Sequence, residues 1–162
     1  MKEMKMIEKF DSAKNIPEIF EVVRETVKDT FSVSKSGLTV SLNNLDTTNQ
    51  GILGAVYFPQ DSLIVVNKKI LNFIKKKKPE LMKSYLFHVL LHEYLHSVGF
   101  IDEAEVRKLA FLISNKHFGS NHDVTRLAGN IDRFIKNFVD MKEVKQVIEK
   151  INEDRSVLNY IG

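Results

Sequence analysis

The stretch His92-Glu93-Tyr94-Leu95-His96-Ser97-Val98-Gly99-Phe100-Ile101-Asp102 organises the reading of the whole 162-residue chain. On an α-helix, side chains four apart lie one above the other on the same face, so His92 and His96 can bind one metal ion. Glu93 lies beside them, placed to hold a water molecule on that ion. Two imidazoles leave a zinc ion short of ligands, and catalytic zinc sites commonly take three from the protein. Gly99 can end the helix and turn the chain, which lets the carboxylate of Asp102 come back to the same ion. His92, His96 and Asp102 are therefore the predicted metal ligands, Glu93 the predicted catalytic residue and Zn2+ the predicted cofactor.

The surroundings of the box support this reading. Tyr85-Leu86-Phe87-His88-Val89-Leu90-Leu91 precedes it and Val98 follows, so the helix is apolar on nearly all sides and belongs in a core. Two histidines and a glutamate buried there would cost several kcal/mol of desolvation unless something pairs with them, and a metal ion is the obvious partner. Asp102 has a second reading. Asp102-Glu103-Ala104-Glu105 is also a good helix start, with an N-cap Asp and an acidic residue three positions on. Glu103 and Glu105 are rival ligands, and a downstream histidine, His122, stays open as a further one. His88 sits one turn before His92. A rigid helix does not bring three successive turns to one tetrahedral ion, because the outer pair is separated by roughly 12 Å of rise. His88 is accordingly assigned to the surroundings of the site or to the core. His117 and His122 flank Gly119-Ser120-Asn121 and read as a loop histidine and a helix-start histidine.

From His92 to Asp102 the pattern H-E-x-x-H-x-x-G-x-x-D resembles the metzincin-like zincins. The run His96 to Glu103 looks most like the small minimal-zincin metalloproteases of prokaryotes, which place an aspartate followed by an acidic residue at this point. The resemblance implies zinc held by His92, His96 and Asp102, with Glu93 as general base. Metzincins proper carry a third histidine where this chain has Asp102. They also have a methionine turn under the metal, whereas the only Met after the box here, Met141, falls in a predicted helix and is not given that role. A bacterial endoribonuclease family shares the histidine-and-glycine spacing but lacks a Glu after the first His, so Glu93 argues against it.

Composition narrows the class. The chain has no cysteine, which excludes disulfides and thiolate metal sites and fits a reducing, cytoplasmic setting. The segment Met1 to Lys9 is too charged for a signal-peptide core. No apolar stretch approaches the roughly 20 residues a membrane helix needs, so no membrane partner is expected. The net charge of +3 owes much to Lys68, Lys69 and Lys75-Lys76-Lys77-Lys78. These lysines are not interleaved with exposed aromatics, and they read as a solvated helix end rather than a nucleic-acid site. The expected partner is a peptide or protein substrate.

Residues 1–14 read as a polar, loose leader and 15–162 as one domain, with a core over 15–116 and C-terminal helices over 117–162. Asn15-Ile16-Pro17-Glu18 starts a helix, with a capping Asn and a Pro in the first turn. Leu38 to Leu42 alternates strictly, which predicts a strand with one buried face. Ile52 to Phe58 and Leu63 to Val66 predict two more strands, joined through Pro59-Gln60-Asp61-Ser62 as a hairpin. A short helix over 67–74 follows, then the metal helix over 80–98. Further helices are predicted after Gly99, over about 122–138, and from Asp140 onward. The fold class is α+β and zincin-like: a small mixed sheet packed beside the H-E-x-x-H helix, with a helical C-terminal part. Gly54 has two readings of equal standing, a close approach by a substrate backbone or an ordinary packing glycine.

The function expected is a zinc-dependent peptidase in which Glu93 takes the proton of a metal-activated water and returns it to the leaving amine. The second donor to the oxyanion stays open among Tyr57, Tyr85, Tyr94 and His122. Two other classes are kept beside it, a metal-dependent RNA endonuclease and a catalytically inactive binding or regulatory protein on the same scaffold.

Overall fold

The computed structural model describes residues 4–45 and 53–131. Its elements follow in the order α1 (Met6–Ser12), α2 (Ile16–Phe31), β1 (Thr39–Asn43), β2 (Ala55–Phe58), β3 (Leu63–Asn67), α3 (Lys68–Lys77), α4 (Met82–Ser97), α5 (Glu103–Phe118) and α6 (Asp123–Gly129). The protein is mixed α+β, with helices around a three-stranded sheet of order β1-β3-β2. β1 runs parallel to β3 and β2 antiparallel to it. The hairpin from β2 to β3 turns through a short 3-10 segment, Pro59–Asp61, with Ser62 in the left-handed region. Of the helix predicted over about 122–138, α6 covers Asp123–Gly129 and ends at a C-cap on Asn130; its part beyond 131 and the helix predicted from Asp140 lie outside the described residues.

Helix α4 is the centre of the molecule. Tyr85, Phe87, Leu90, Leu91, Tyr94 and Leu95 are all buried, and they lie all round its circumference. An apolar helix of this kind cannot sit at a surface, because each such side chain left in water forgoes roughly 1.5–3 kcal/mol. α2 packs along it, the sheet covers another face, and α5 and α6 close the rest. α2 begins as its sequence predicts, with the Asn15 side chain accepting the Glu18 N–H at 2.9 Å.

Two segments differ from the sequence reading. The leader 1–14 contains helix α1, because Phe10 and Ala13 are buried anchors in a Lys- and Glu-rich stretch, with Met6 and Ile7 packed against the same core. Phe10 is 4 % exposed and meets the rings of Phe87, Phe118 and His122 edge-on or nearly so. The ammonium of Lys83 donates to the Phe10 and Asp11 carbonyls and so ties the end of α1 to α4. β1, whose alternation predicts a buried face, is an outer strand with no fully buried residue. Leu38 and Val40 touch the core, but Leu42 stands partly in solvent. Alternation reports which way side chains point, not whether anything covers them.

Gly54, just before β2, is a packing glycine. A Cβ placed there would come within 2.6 Å of the Tyr85 hydroxyl and 3.2 Å of Val89 on α4. Of the two readings of Gly54, packing is the one that holds: the central helix lies where its side chain would be, and the absence of that side chain lets the sheet approach α4 closely.

Candidate metal centre

α4 carries His92, Glu93 and His96 on adjoining turns, and the chain leaves the helix through Gly99 at φ 119°. A side chain is rarely tolerated at that φ, so glycine permits the turn. The returning segment is held at once. Phe100 N–H donates to the Leu95 carbonyl at 3.2 Å, and the Phe100 carbonyl lies 2.8 Å from His96 Nδ1. A carbonyl oxygen can only accept, so Nδ1 of His96 carries a hydrogen. The Gly99 turn therefore fixes both the orientation and the tautomer of this imidazole.

The structure brings His92, His96 and Glu103 together. Glu103 Oε2 is 2.9 Å from His92 Nε2, and Glu103 Oε1 is 2.7 Å from His96 Nε2. One donor atom from each of the three lies within 4.8 Å of the others. Asp102, the sequence-based choice for third ligand, is not in this cluster. It is the N-cap of α5, its carboxylate accepting the Glu105 N–H at 3.2 Å. Its backbone is extended, with φ −71° and ψ 124°. Around an extended residue successive side chains point to opposite sides, so when Asp102 faces its own helix, Glu103 faces the histidines. The acidic-cap pattern in the sequence already contained this signal. A carboxylate engaged on helix N–H groups is a poorer candidate for a metal than its neighbour.

Electrostatics differ among the members. Burial lowers the His92 imidazole below its ordinary value and outweighs the opposing charge of Glu103. At Glu103 burial works to raise the carboxyl, but the charges and hydrogen bonds of the two imidazoles prevail and hold it low. The outcomes differ because the Glu103 side chain is 62 % exposed while those of His92 and His96 are 17 % and 15 %. Glu93 is pushed up to about 8, first by burial and then by the negative charge of Glu103, with a hydrogen bond to the Tyr57 backbone acting the other way. A carboxyl group near 8 is matched to proton transfer at neutral pH. A cation held at the cluster would act in the opposite direction.

The bond from Tyr57 has a topological cause. Asn67 N–H donates to the Gly54 carbonyl, and alternate residues of β2 thereafter face β3. Ala55 and Tyr57 consequently turn their backbone groups to the free side of the strand, which is an edge among the described residues. Glu93 meets that edge. Nothing in the sequence patterning pointed to a main-chain partner for Glu93.

The remaining histidines and tyrosines fall away from the cluster or behind it. His122 caps α6, its Nδ1 accepting the Val124 N–H at 3.1 Å. His117 bonds the Thr30 hydroxyl at 3.2 Å and lies 3.5 Å from Asp29, clamping α5 to α2. Tyr85 and Tyr94 are buried, and the Tyr94 hydroxyl accepts the Lys35 backbone N–H. Tyr57 is half-buried, and its hydroxyl accepts from the Lys35 ammonium at 3.0 Å.

His88 is buried one turn before His92, with no hydrogen-bond partner for Nδ1 among the described residues, and burial lowers it to about 3. Its unfolded counterpart titrates near 6.5. The neutral native ring thus contributes stability that is whole above pH 6.5 and lost as pH falls from 6.5 toward 3, by a few kcal/mol in total. In acid unfolding followed by circular dichroism, His88→Leu is expected to flatten the stability loss over that interval. Parallel curves for variant and wild type would count against His88 as its source.

Comparison with protein-family models, with curated proteins and with solved structures finds no match to this chain. Among the described residues no helix is long and apolar enough to cross a membrane.

Proposed function

We propose that the chain is a zinc-dependent peptidase of zincin-like design, with His92, His96 and Glu103 holding the ion and Glu93 as general base. The observation that carries this is the His96 ring. Its Nδ1 hydrogen is committed to Phe100, so in the neutral ring Nε2 presents a lone pair 2.7 Å from a Glu103 oxygen. Two lone pairs at that distance repel, and only a cation shared between them, a proton or a metal ion, makes the contact attractive. Burial disfavours a proton on His92, which has the same carboxylate 2.9 Å away. A metal ion satisfies both rings together.

The donor set fits. Two imidazole nitrogens and one carboxylate oxygen suit zinc, and the resulting three-ligand site keeps a position for water or substrate. Zinc–ligand bonds of roughly 2.0–2.2 Å set donor atoms about 3.4 Å apart, so the N···O contacts of 2.9 and 2.7 Å would need to open by only about 0.5 and 0.7 Å. Bound there, the ion supplies a Lewis acid that polarises a carbonyl and acidifies a water molecule.

The protein groups do the rest. Glu93 accepts the proton of the attacking water and passes it to the leaving amine, with its carboxylate oriented by the Tyr57 backbone. Among the described residues β2 is an edge strand, and its outward backbone groups beyond the one that Glu93 engages are suited to align an extended peptide by main-chain hydrogen bonds across the mouth of the site. Of the four groups considered for the second oxyanion donor, Tyr57 alone is neither fully buried nor committed to a helix cap. The order of elements, with a mixed sheet whose antiparallel outer strand borders the H-E-x-x-H helix, supports the zincin-like reading.

The test is elemental analysis of the purified protein together with digestion of a mixed peptide library. One zinc per chain is expected, with cleavage that stops on chelation and returns when zinc is restored. Cleavage indifferent to chelation would overturn the metal role. Bound zinc with no peptide cut would leave a binding protein on this scaffold.

A further inference from the structure

Ile101 is the most exposed large apolar side chain among the described residues, at 87 %, against 58 % for Leu112, the next. A single apolar side chain in solvent is ordinary on any protein surface. Three features distinguish this one. First, it is held rigidly. Phe100, on one side, is bonded through both its N–H and its carbonyl to the last turn of α4 and packs its ring on Phe31 at 5.6 Å. Asp102, on the other, is the N-cap of α5 and accepts from Val106 and Glu105. A side chain between two such anchors has a fixed origin, so the entropy cost of using it as a contact is low.

Second, Ile101 is a near neighbour of Glu103 along the chain. A single extended residue, Asp102 at φ −71° and ψ 124°, separates it from Glu103, so the two side chains originate roughly 7 Å apart at the rise of an extended strand. Third, Glu103 is the exposed member of the trio while the histidines are largely covered, so solvent and any ligand reach the cluster from the Glu103 side. A molecule arriving there meets Ile101.

Resting on the peptidase reading above, we propose that Ile101 is a specificity contact that receives a large apolar side chain of the substrate next to the bond being cut. The metal ligands and Glu93 are indifferent to side-chain type, and the strand edge reads only main chain. Ile101 therefore supplies a side-chain preference that the metal ligands, Glu93 and the strand edge do not. The contact is one-sided and partly open, so the discrimination belongs at the lower end of what an apolar pocket achieves, about tenfold between a leucine and an alanine.

The experiment uses the full, zinc-loaded chain and quenched peptides varied one position at a time around the cut. Wild type is expected to prefer Leu, Met or Phe over Ala at one adjoining position by about tenfold in kcat/KM. Ile101→Ser should bring that ratio close to one, and Ile101→Leu should restore it. A binding readout separates recognition from turnover. In a Glu93→Gln background, the Kd of the preferred peptide should rise about tenfold on adding Ile101→Ser. Zinc content and melting temperature should not move, since the side chain is in solvent. An unchanged ratio in Ile101→Ser, or cleavage by wild type with no apolar preference, overturns the assignment and leaves the peptidase reading standing. Failure of the zinc-loaded wild type to cut any peptide overturns both.

Discussion

Replacing Glu93 by glutamine is expected to lower peptide turnover by roughly 10²- to 10⁴-fold while bound zinc is retained. The amide has nearly the shape of the carboxyl group and can still accept a hydrogen bond from the Tyr57 backbone, the contact that Glu93 now makes. What it cannot do is take a proton. Because Glu93 is not among the three grouped donors, metal content should be unaffected. Stability offers a second readout. Burial and the nearby Glu103 carboxylate make an ionised Glu93 unfavourable, so the neutral amide should leave the melting temperature of the metal-free protein unchanged or raised. Turnover measured beside zinc content decides the matter. Full activity in the Glu93→Gln protein would remove Glu93 from catalysis, and loss of zinc would move it into the ligand set.

The second large effect separates two adjacent carboxylates. Glu103→Ala should weaken zinc binding by more than 100-fold, exceeding the 10- to 100-fold typical when a partner behind a ligand is lost. Its side chain is mostly in solvent, so the fold should be undisturbed. Asp102→Asn should leave zinc affinity within a few-fold of wild type, because asparagine caps a helix about as well as aspartate and the Asp102 carboxylate points to Glu105 N–H rather than to the histidines. Competition with a chelating dye measures both. The reverse ranking would return the third ligand to Asp102 and require the start of α5 to rearrange when metal binds.

These two residues also mark where sequence reasoning stopped. The H-E-x-x-H spacing placed His92, Glu93 and His96 on a helix, and the apolar run before it placed that helix in a core, as the burial of Tyr85 to Leu91 and of Tyr94 and Leu95 shows. Helical periodicity is local, so both conclusions needed only the order of residues. The same holds for the Asn15 cap and the hairpin through Pro59–Asp61. Choosing between Asp102 and Glu103 was harder, since spacing admits either. The choice follows from one backbone angle at the cap, which turns neighbouring side chains to opposite sides.

Phe10 shows another boundary. In a stretch rich in Lys and Glu, one aromatic is a weak signal, and only the cluster of Phe87, Phe118 and His122 waiting for it makes α1 an element of the core. β1 shows the converse, a good alternating pattern left partly in solvent, with no layer among the described residues covering Leu42.

The order of residues by itself determined a buried helix bearing two imidazoles and an acid at metal-binding spacing, a small hairpin sheet and the glycine that ends the helix. These depend on contacts within a few positions, where geometry repeats. Tertiary structure alone decided which carboxylate closes on the imidazoles, that Glu93 meets the backbone of Tyr57, that Gly54 makes room for Tyr85, and that Ile101 stands in solvent beside Glu103. Each of those depends on how two distant segments, or two ends of one turn, are oriented in space, and no local period encodes that.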